Sequence, residues 1–510
     1  MRINEDIKMK KLFFILLLFS SMSVFANTKT FIREYTYQAS DYDSKVTARV
    51  NALEEVKRLL LEEVAVFIQS EFEDSEWEKQ IGDKIESGEF TKKRLISVTA
   101  GITQTEILEE KWTGVKYWLK AKITINPDEM KKQLDLILQD KEKTKELEKT
   151  RQMADEARKE IQRLKKELES VKNENEQVEL QNAYKKNVDQ LDATDWFDKG
   201  YNAGLLKEYD KAKSFFIRAI ELNPEFSEAY YSLGFVYYEQ GNYSDAIKNY
   251  IKAIEVNPEH FAAYHNLGVV YNKQGNHTDA IKCHNKAIEI NPDCSKAYIN
   301  LGSVYYKQEN YSDAIKSFIK VVEINPDDSE AYYNLGIVYG NQNIYDNAIN
   351  CYKKAIEINP NDSKSYNNLG IVYCIQENYQ DAIKSYKKAI EINPDSSGAY
   401  FLLGSAYDDQ GNYFDAIYNL KKAVLIDPTD PELYYYLGLV YTAQNNFTDA
   451  INCFNKAIEI SPDNSEVFLS IGLIYSIQGN SSDATMYYQK AARLGNIQAQ
   501  NMLKELGKEW

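Results

Sequence analysis

Histidine is scarce in this chain, with four copies in 510 residues, and all four, His260, His265, His277 and His284, fall in one short window. Cysteine is nearly as rare. Cys283, Cys294, Cys351, Cys374 and Cys453 are too few and too irregularly spaced for a disulfide framework in a chain of this size. No phosphate-cradling glycine loop, nucleophile elbow, zinc-protease helix or Cys-x-x-Cys pair is present. Paired carboxylates abound, but on charged helical stretches where they form a solvated face. These absences predict a protein that is not an enzyme, with no catalytic residue and no cofactor. A basic excess is missing too: 61 Lys and Arg against 77 Asp and Glu leave a net charge of −16, which argues against wrapping a polyanion and so against nucleic acid as a partner.

Long apolar runs are confined to the start. Lys8, Lys10 and Lys11 precede the unbroken run Leu12 to Phe19, and Val24-Phe25-Ala26 supplies a small-residue cleavage pattern. The run is shorter than the roughly 20 residues a membrane span needs. The expectation is a cleaved export signal over residues 1–26, a periplasmic or secreted location, and no stable membrane insertion afterwards; the alternative is an uncleaved signal anchoring the chain to the inner membrane.

Proline, only ten copies, is the scarce residue that organises the rest. Eight fall on one series, Pro224, Pro258, Pro292, Pro326, Pro360, Pro394, Pro428 and Pro462, at a constant interval. Glycine keeps the same beat from Gly200 to Gly472, and alanine from Ala212 to Ala484. A fixed period of this size means stacked supersecondary units, none of which buries its apolar face alone. In the unit containing Tyr264, Leu267, Gly268 and Tyr271, spacings of three and four put the large residues on one helical face. Ala280, Ile281, His284, Ala287 and Ile288 repeat the pattern on a second helix. The small residues allow close helix approach, and Asn-Pro ends each second helix because proline has no N–H to donate.

With Trp196, Gly200, Ala212, Phe216, Ala219 and Pro224 in place, the chain over 193–498 resembles the tetratricopeptide-repeat family. Nine units fit, followed by a capping helix over 499–510. Departures cluster at the ends: Lys199, Ala203 and Asn496 replace the usual Leu, Tyr and Pro. The resemblance implies an α-solenoid whose first helices line a groove for extended or helical peptides. Asn266, Asn300, Asn334 and Asn368 hold the sixth place of four consecutive units, a ladder of amides able to donate to and accept from a peptide backbone. The pattern is similar to the asparagine ladder in the repeat domain of sugar-transferring enzymes. Tyr231 and Tyr333 at the fifth place and Tyr306 at the twelfth add aromatics with polar handles, which are frequent at interface hot spots. In this framework His284 takes a core position, His265 projects toward the groove and His277 sits in a turn, so no metal site is predicted. Ser244, Thr278 and Ser312 are expected to cap second helices.

Two further parts precede the repeats. Over 27–135 a small α+β domain is expected: Ser40 and Asp41 cap a helix carrying Val46, Val50, Leu53, Val56, Leu60 and Val64, and a hairpin follows. Ile96, Val98, Ile102 and Ile107 flank its first arm, Thr113-Gly114 turns, and Tyr117, Leu119, Ala121 and Ile123 alternate with polar residues on the return. This module resembles small helix-plus-hairpin domains of bacterial envelope proteins. Over 136–190, Leu147, Ala154, Ile161 and Leu168 in one seven-residue series and Thr150, Ala157, Leu164, Val171 and Val178 in the other form a coiled-coil seam, with Asn175 continuing the first. It reads as a coiled coil making a homo-oligomer, or as a single spacer helix. The whole is a mostly α chain: a small α+β domain, a coiled-coil helix and a solenoid. The function expected is an exported scaffold that binds protein or peptide partners in its groove. Its rivals are a substrate-recruiting subunit of an envelope enzyme complex and a structural spacer in an envelope machine.

Overall fold

A computed structural model describes residues 28–72, 88–139, 141–171 and 173–510. The export signal read over 1–26 lies outside them. The fold comprises two compact bodies that meet in sequence at Pro292 and Asp293.

The first body opens with strand β1 (Lys29–Gln38), helix α1 (Lys45–Phe72) and helix α2 (Gly88–Ile102), then strands β2 (Thr105–Trp112) and β3 (Lys116–Ile125). β3 is central, antiparallel to both neighbours, with Phe31 opposite Ile123 on one side and Thr105 opposite Ile123 on the other. Tyr117, Leu119, Ala121, Ile123 and Ile125 form its buried face, packed into one core with Ala52, Val56, Leu60 and Val64 of α1. Gly114 takes a left-handed φ of 91° in the turn, where Thr113 N–H donates to the Lys116 carbonyl at 3.0 Å.

The predicted first arm is corrected in part. Ile96, Val98 and Ile102 lie on α2, with only Ile107 on β2, and the third strand is β1. A β-branched run is thus held helical because Leu95, Val98, Ala100 and Ile102 all face the module core. The cap of α1 also moves: Ser44 Oγ accepts from the Thr47 N–H at 3.2 Å, in place of Ser40 or Asp41.

Helices α3 (Pro127–Gln139), α4 (Lys141–Ser170) and α5 (Glu174–Leu205) follow. The heptad seam turns inward. Ala154, Ala157, Ile161, Leu164 and Leu168 of α4 are buried against Tyr184, Val188 and Leu191 of α5, with Val50 of α1 completing the cluster. The seam expected to pair chains is therefore covered by this chain's own next helix. It ends at Leu168: Val171 follows the last residue of α4, Val178 is 55% exposed, and Asn173 caps α5 by accepting from the N–H of Asn175. The last part of α5, from residue 193, is the first helix of the first repeat, so hairpin and solenoid share one helix.

Within this body the repeats continue through α6 (Tyr209–Leu222), α7 (Ser227–Glu239), α8 (Tyr243–Val256), α9 (Phe261–Lys273) and α10 (His277–Ile290). The second body is repeats throughout: α11 (Ser295–Lys307), α12 (Tyr311–Ile324), α13 (Ser329–Asn341), α14 (Tyr345–Ile358), α15 (Ser363–Ile375), α16 (Tyr379–Ile392), α17 (Ser397–Asp409), α18 (Tyr413–Ile426), α19 (Pro431–Ala443), α20 (Phe447–Ile460), α21 (Ser465–Ile477) and α22 (Ser481–Arg493), closed by α23 (Ile497–Glu505). This is an α-solenoid preceded by a small α+β domain.

One contact recurs in every unit. A Cβ added to Gly234 would lie 2.8 Å from the Tyr250 ring, and one added to Gly370 would lie 2.5 Å from the Tyr386 ring, so the repeated glycine lets two helices close over a core side chain. Seven second helices are capped by asparagine, which corrects the serine and threonine reading, while α6 and α14 begin after Glu208 and Ile344 with no side-chain cap. Asn242 Oδ1 accepts from the Asp245 N–H at 3.3 Å while its Nδ2 donates to the Asp245 carboxylate at 2.8 Å, and Asn276, Asn310, Asn378, Asn412, Asn446 and Asn480 do the same. Asn257 leads into its proline with an extended backbone and accepts from the Glu259 N–H at 3.1 Å, which ends the helix.

Candidate peptide-binding site

The sixth place of a first helix points away from its own second helix. Asn266 lies on α9 of the first body; Asn300, Asn334 and Asn368 lie on α11, α13 and α15 of the second, and all four are half-buried. Asn266 Nδ2 donates to Tyr231 Oη at 3.1 Å, and Asn368 Nδ2 to Tyr333 Oη at 3.2 Å. Tyr231 and Tyr333 are therefore braces for Asn266 and Asn368. Their rings face inward, 5.9 Å from Tyr250 and 6.1 Å from Tyr352, and only the hydroxyls reach the ladder. Asn334 differs, because Ile299 stands where a bracing tyrosine would be. Tyr306 Oη accepts instead from Asn341 Nδ2 at 2.5 Å.

Beyond Asn368 the second body's ladder changes chemistry. Leu402 and Tyr436 take the sixth place, and Phe401 meets Tyr436 edge-on at 4.8 Å. A row of amides thus gives way to an apolar and aromatic stretch. The signal was in the sequence as a lost asparagine.

The histidines correct another expectation. His265 turns inward onto His284, with ring centroids 5.3 Å apart, as other fifth-place rings turn onto the second helix's core ring. Burial, with a smaller push from His265, lowers the His284 pKa to about 3. His260 caps α9, its Nδ1 accepting from the Ala263 N–H at 3.3 Å, and burial lowers its pKa to about 4. Among the described residues no three His, Cys, Asp or Glu side chains converge on a metal-sized space. All five cysteines are free thiols, and burial raises Cys283, Cys351 and Cys453 to about 11, far from thiolate reactivity.

In the first body, part of the surface presented by the first helices is already covered. Lys149 of α4 ion-pairs with the buried Glu228 at the second place of α7. Asp198, at the ladder position of the first repeat, is held by Lys57 of α1 at 2.5 Å, and Lys57 also reaches Asp195 at 3.2 Å. Lys199 lies 2.7 Å from Asp195 and Arg151 3.8 Å from Glu54. Burial works against the Lys57 charge, but Asp198 and Asp195 outweigh it and keep the ammonium protonated. Only Lys199, in place of the usual Leu, stood out in the sequence; the other members are ordinary charged residues on amphipathic helices.

Comparison with known proteins bears on the repeats. Residues 225–293 and 259–327 match a family model described as Tetratricopeptide repeat, and residues 206–241 one described as TPR repeat. Residues 327–508 match one described as Cilia and flagella-associated protein 70 C-terminal domain. No curated protein matches the chain. Among solved structures, "Crystal structure of MamA protein" is 31% identical over 34% of this chain and 94% of its own, with a TM-score of 0.31. "Crystal structure of YrrB: a TPR protein with an unusual peptide-binding site" is 25% identical over 38% of this chain and 97% of its own, at 0.33. A repeat protein from Parabacteroides merdae is 20% identical over 49% and 98%, at 0.39.

Proposed function

Since this chain carries tetratricopeptide repeats, we propose that it is an exported, non-enzymatic scaffold that captures partner polypeptides along the first helices of its second body. The observation that carries this reading is the row of half-buried amides Asn300, Asn334 and Asn368 in consecutive units, followed by the rings of Phe401 and Tyr436. Amides read a peptide backbone irrespective of sequence, and rings add buried area at low entropic cost. Export to the periplasm or beyond rests on the basic, apolar and small-residue segments of residues 8–26. The α+β module and the α4–α5 hairpin, tied to the first repeat through Lys57 and to the second through Lys149, cap that end and leave capture to the later units.

The test is a crosslinking pull-down from envelope extract with the full chain and its Asn300→Ala/Asn334→Ala variant. Capture is expected to fall by roughly tenfold, equivalent to about 1.4 kcal/mol, with helix content by circular dichroism unchanged. Equal recovery of the same partners by both proteins would refute the groove.

A further inference from the structure

One second helix departs from all the others on its outer face. Phe414, Tyr418 and Leu425 of α18 are 78%, 56% and 74% exposed. Spaced four and eleven residues from the first, they fall within one narrow stripe of the helix. The equivalent residues elsewhere are Ser, Thr, Asp or Gln at the first place, Lys, Ser or Asn at the second with Met486 as the apolar exception, and Glu or Arg at the third. Packing does not account for the stripe, because the core of this unit is built from Ala416, Leu420 and Ala423 on the opposite side. Apolar groups clustered in solvent mark a contact surface.

The charges around the stripe indicate what covers it. Lys421 and Lys422 stand on α18, Lys384 and Lys387 on α16, and among the described residues none of the four is paired with a carboxylate. Lys387 and Lys421 lie over the rings of Tyr407 and Tyr441 at 5.6 Å, and Lys422 over Tyr418 at 5.8 Å. The nearby acids Asp381, Asp415 and Asp449 are engaged at helix N-termini, each carboxylate accepting from its capping asparagine, where the helix dipole offsets their charge. Glu391 is held by Lys388 and Asp427 accepts from Thr429, so the unpaired charges that α16 and α18 present beside the stripe are these four lysines. A second copy placed face to face would set these lysines against one another.

We propose that the outer face of α18 docks an amphipathic helix of a partner protein whose apolar stripe is flanked by Asp and Glu. Apolar contact with Phe414, Tyr418 and Leu425 supplies the affinity, and the lysines select the charge of the flanks. This surface is separate from the amide ladder.

The test uses a synthetic helical peptide of about 18 residues, five turns, with leucines on one stripe and glutamates beside it, and a counterpart with lysines in place of the glutamates. Binding to the full chain is read by fluorescence anisotropy. The glutamate peptide is expected to bind at least about tenfold more tightly than the lysine peptide and to weaken between about 50 and 200 mM salt. The variant Phe414→Ser/Tyr418→Lys/Leu425→Glu restores residues that neighbouring units already tolerate, so it keeps the fold; it is expected to abolish binding, whereas Asn334→Ala leaves it intact. Equal binding of the two peptides, or binding unaffected by the triple variant, overturns the proposal. So does sedimentation of the full chain as a dimer that the variant dissociates, or stripe-dependent binding to phosphatidylglycerol vesicles, since either would put another occupant on this face.

Discussion

Glycine and histidine show how tightly single residues are specified. Gly370→Ala would place a methyl group 2.5 Å from the Tyr386 ring, and neither helix can retreat without opening the unit. The expected cost is about 1–3 kcal/mol in urea unfolding. Gly340→Ala, on α13 with nothing within 4 Å of the added carbon, is the control and is expected to be neutral or slightly stabilising. His284 is fully buried, and neither ring nitrogen has a hydrogen-bond partner, although Phe216, Phe318 and Phe454 fill the same place in other units. Its folded pKa, about 3, is below the ordinary histidine value, so the unfolded chain binds the proton first as pH falls. The stability this site contributes is complete above the unfolded value of about 6.5 and is lost as pH drops toward 3. His284→Phe is expected to raise the urea midpoint and to flatten its decline between about pH 7 and pH 4, with His260 and the shifted carboxylates supplying the slope that remains. An unchanged slope would show that the ring is not the titrating group.

At the scale of elements, the decisive interaction is the ionic cluster joining α1, α4 and α5. Lys57, Arg151 and Lys199 face Glu54, Asp195 and Asp198, so the buried charges balance. Lys57→Met would strand the Asp198 carboxylate away from water and leave Asp195 to Lys199 alone, at an expected cost of about 3–5 kcal/mol. Hydrogen exchange should then show lost protection in α1 and the C-terminal half of α5, where Asp195 and Asp198 lie. Adding Asp195→Asn and Asp198→Asn should recover part of it, a result that simple loss of packing would not give. This cluster also marks the limit of what the chain's letters convey. Repeat helices were legible because every unit places the same residue types in the same surroundings, so Gly268, Ala280 and Pro292 each announce a role by recurring. The heptads of α4 were equally legible as an apolar seam, but no periodicity states whether the covering helix belongs to another chain or follows after Asn173. Residues 96–102 were misread because burial in the module core, rather than β-branching, decides their conformation.

Over the whole molecule, the positions of the four asparagines, Tyr231, Tyr306 and Tyr333 followed from the repeat, whereas their bonding did not. Fifth-place rings turn inward because a core ring waits one helix away, and only then do the hydroxyls meet the amides of the next unit. The same count of repeats left the first unit looking ordinary, although its Asp195 and Asp198 are claimed by a segment about 140 residues earlier, a distance in sequence that local patterns do not span. Stability in such an array is a sum over adjacent interfaces. The module therefore strengthens the first repeat directly and later ones only by relay.

The unbroken helix α5 has a mechanical consequence. Its 32 residues form a rod of about 48 Å with the hairpin at one end and the opening repeat at the other. There is no joint between them to absorb slack. A tug on the amino-terminal part is transmitted as along a tow-bar, and the first repeat feels it before any linker has to straighten.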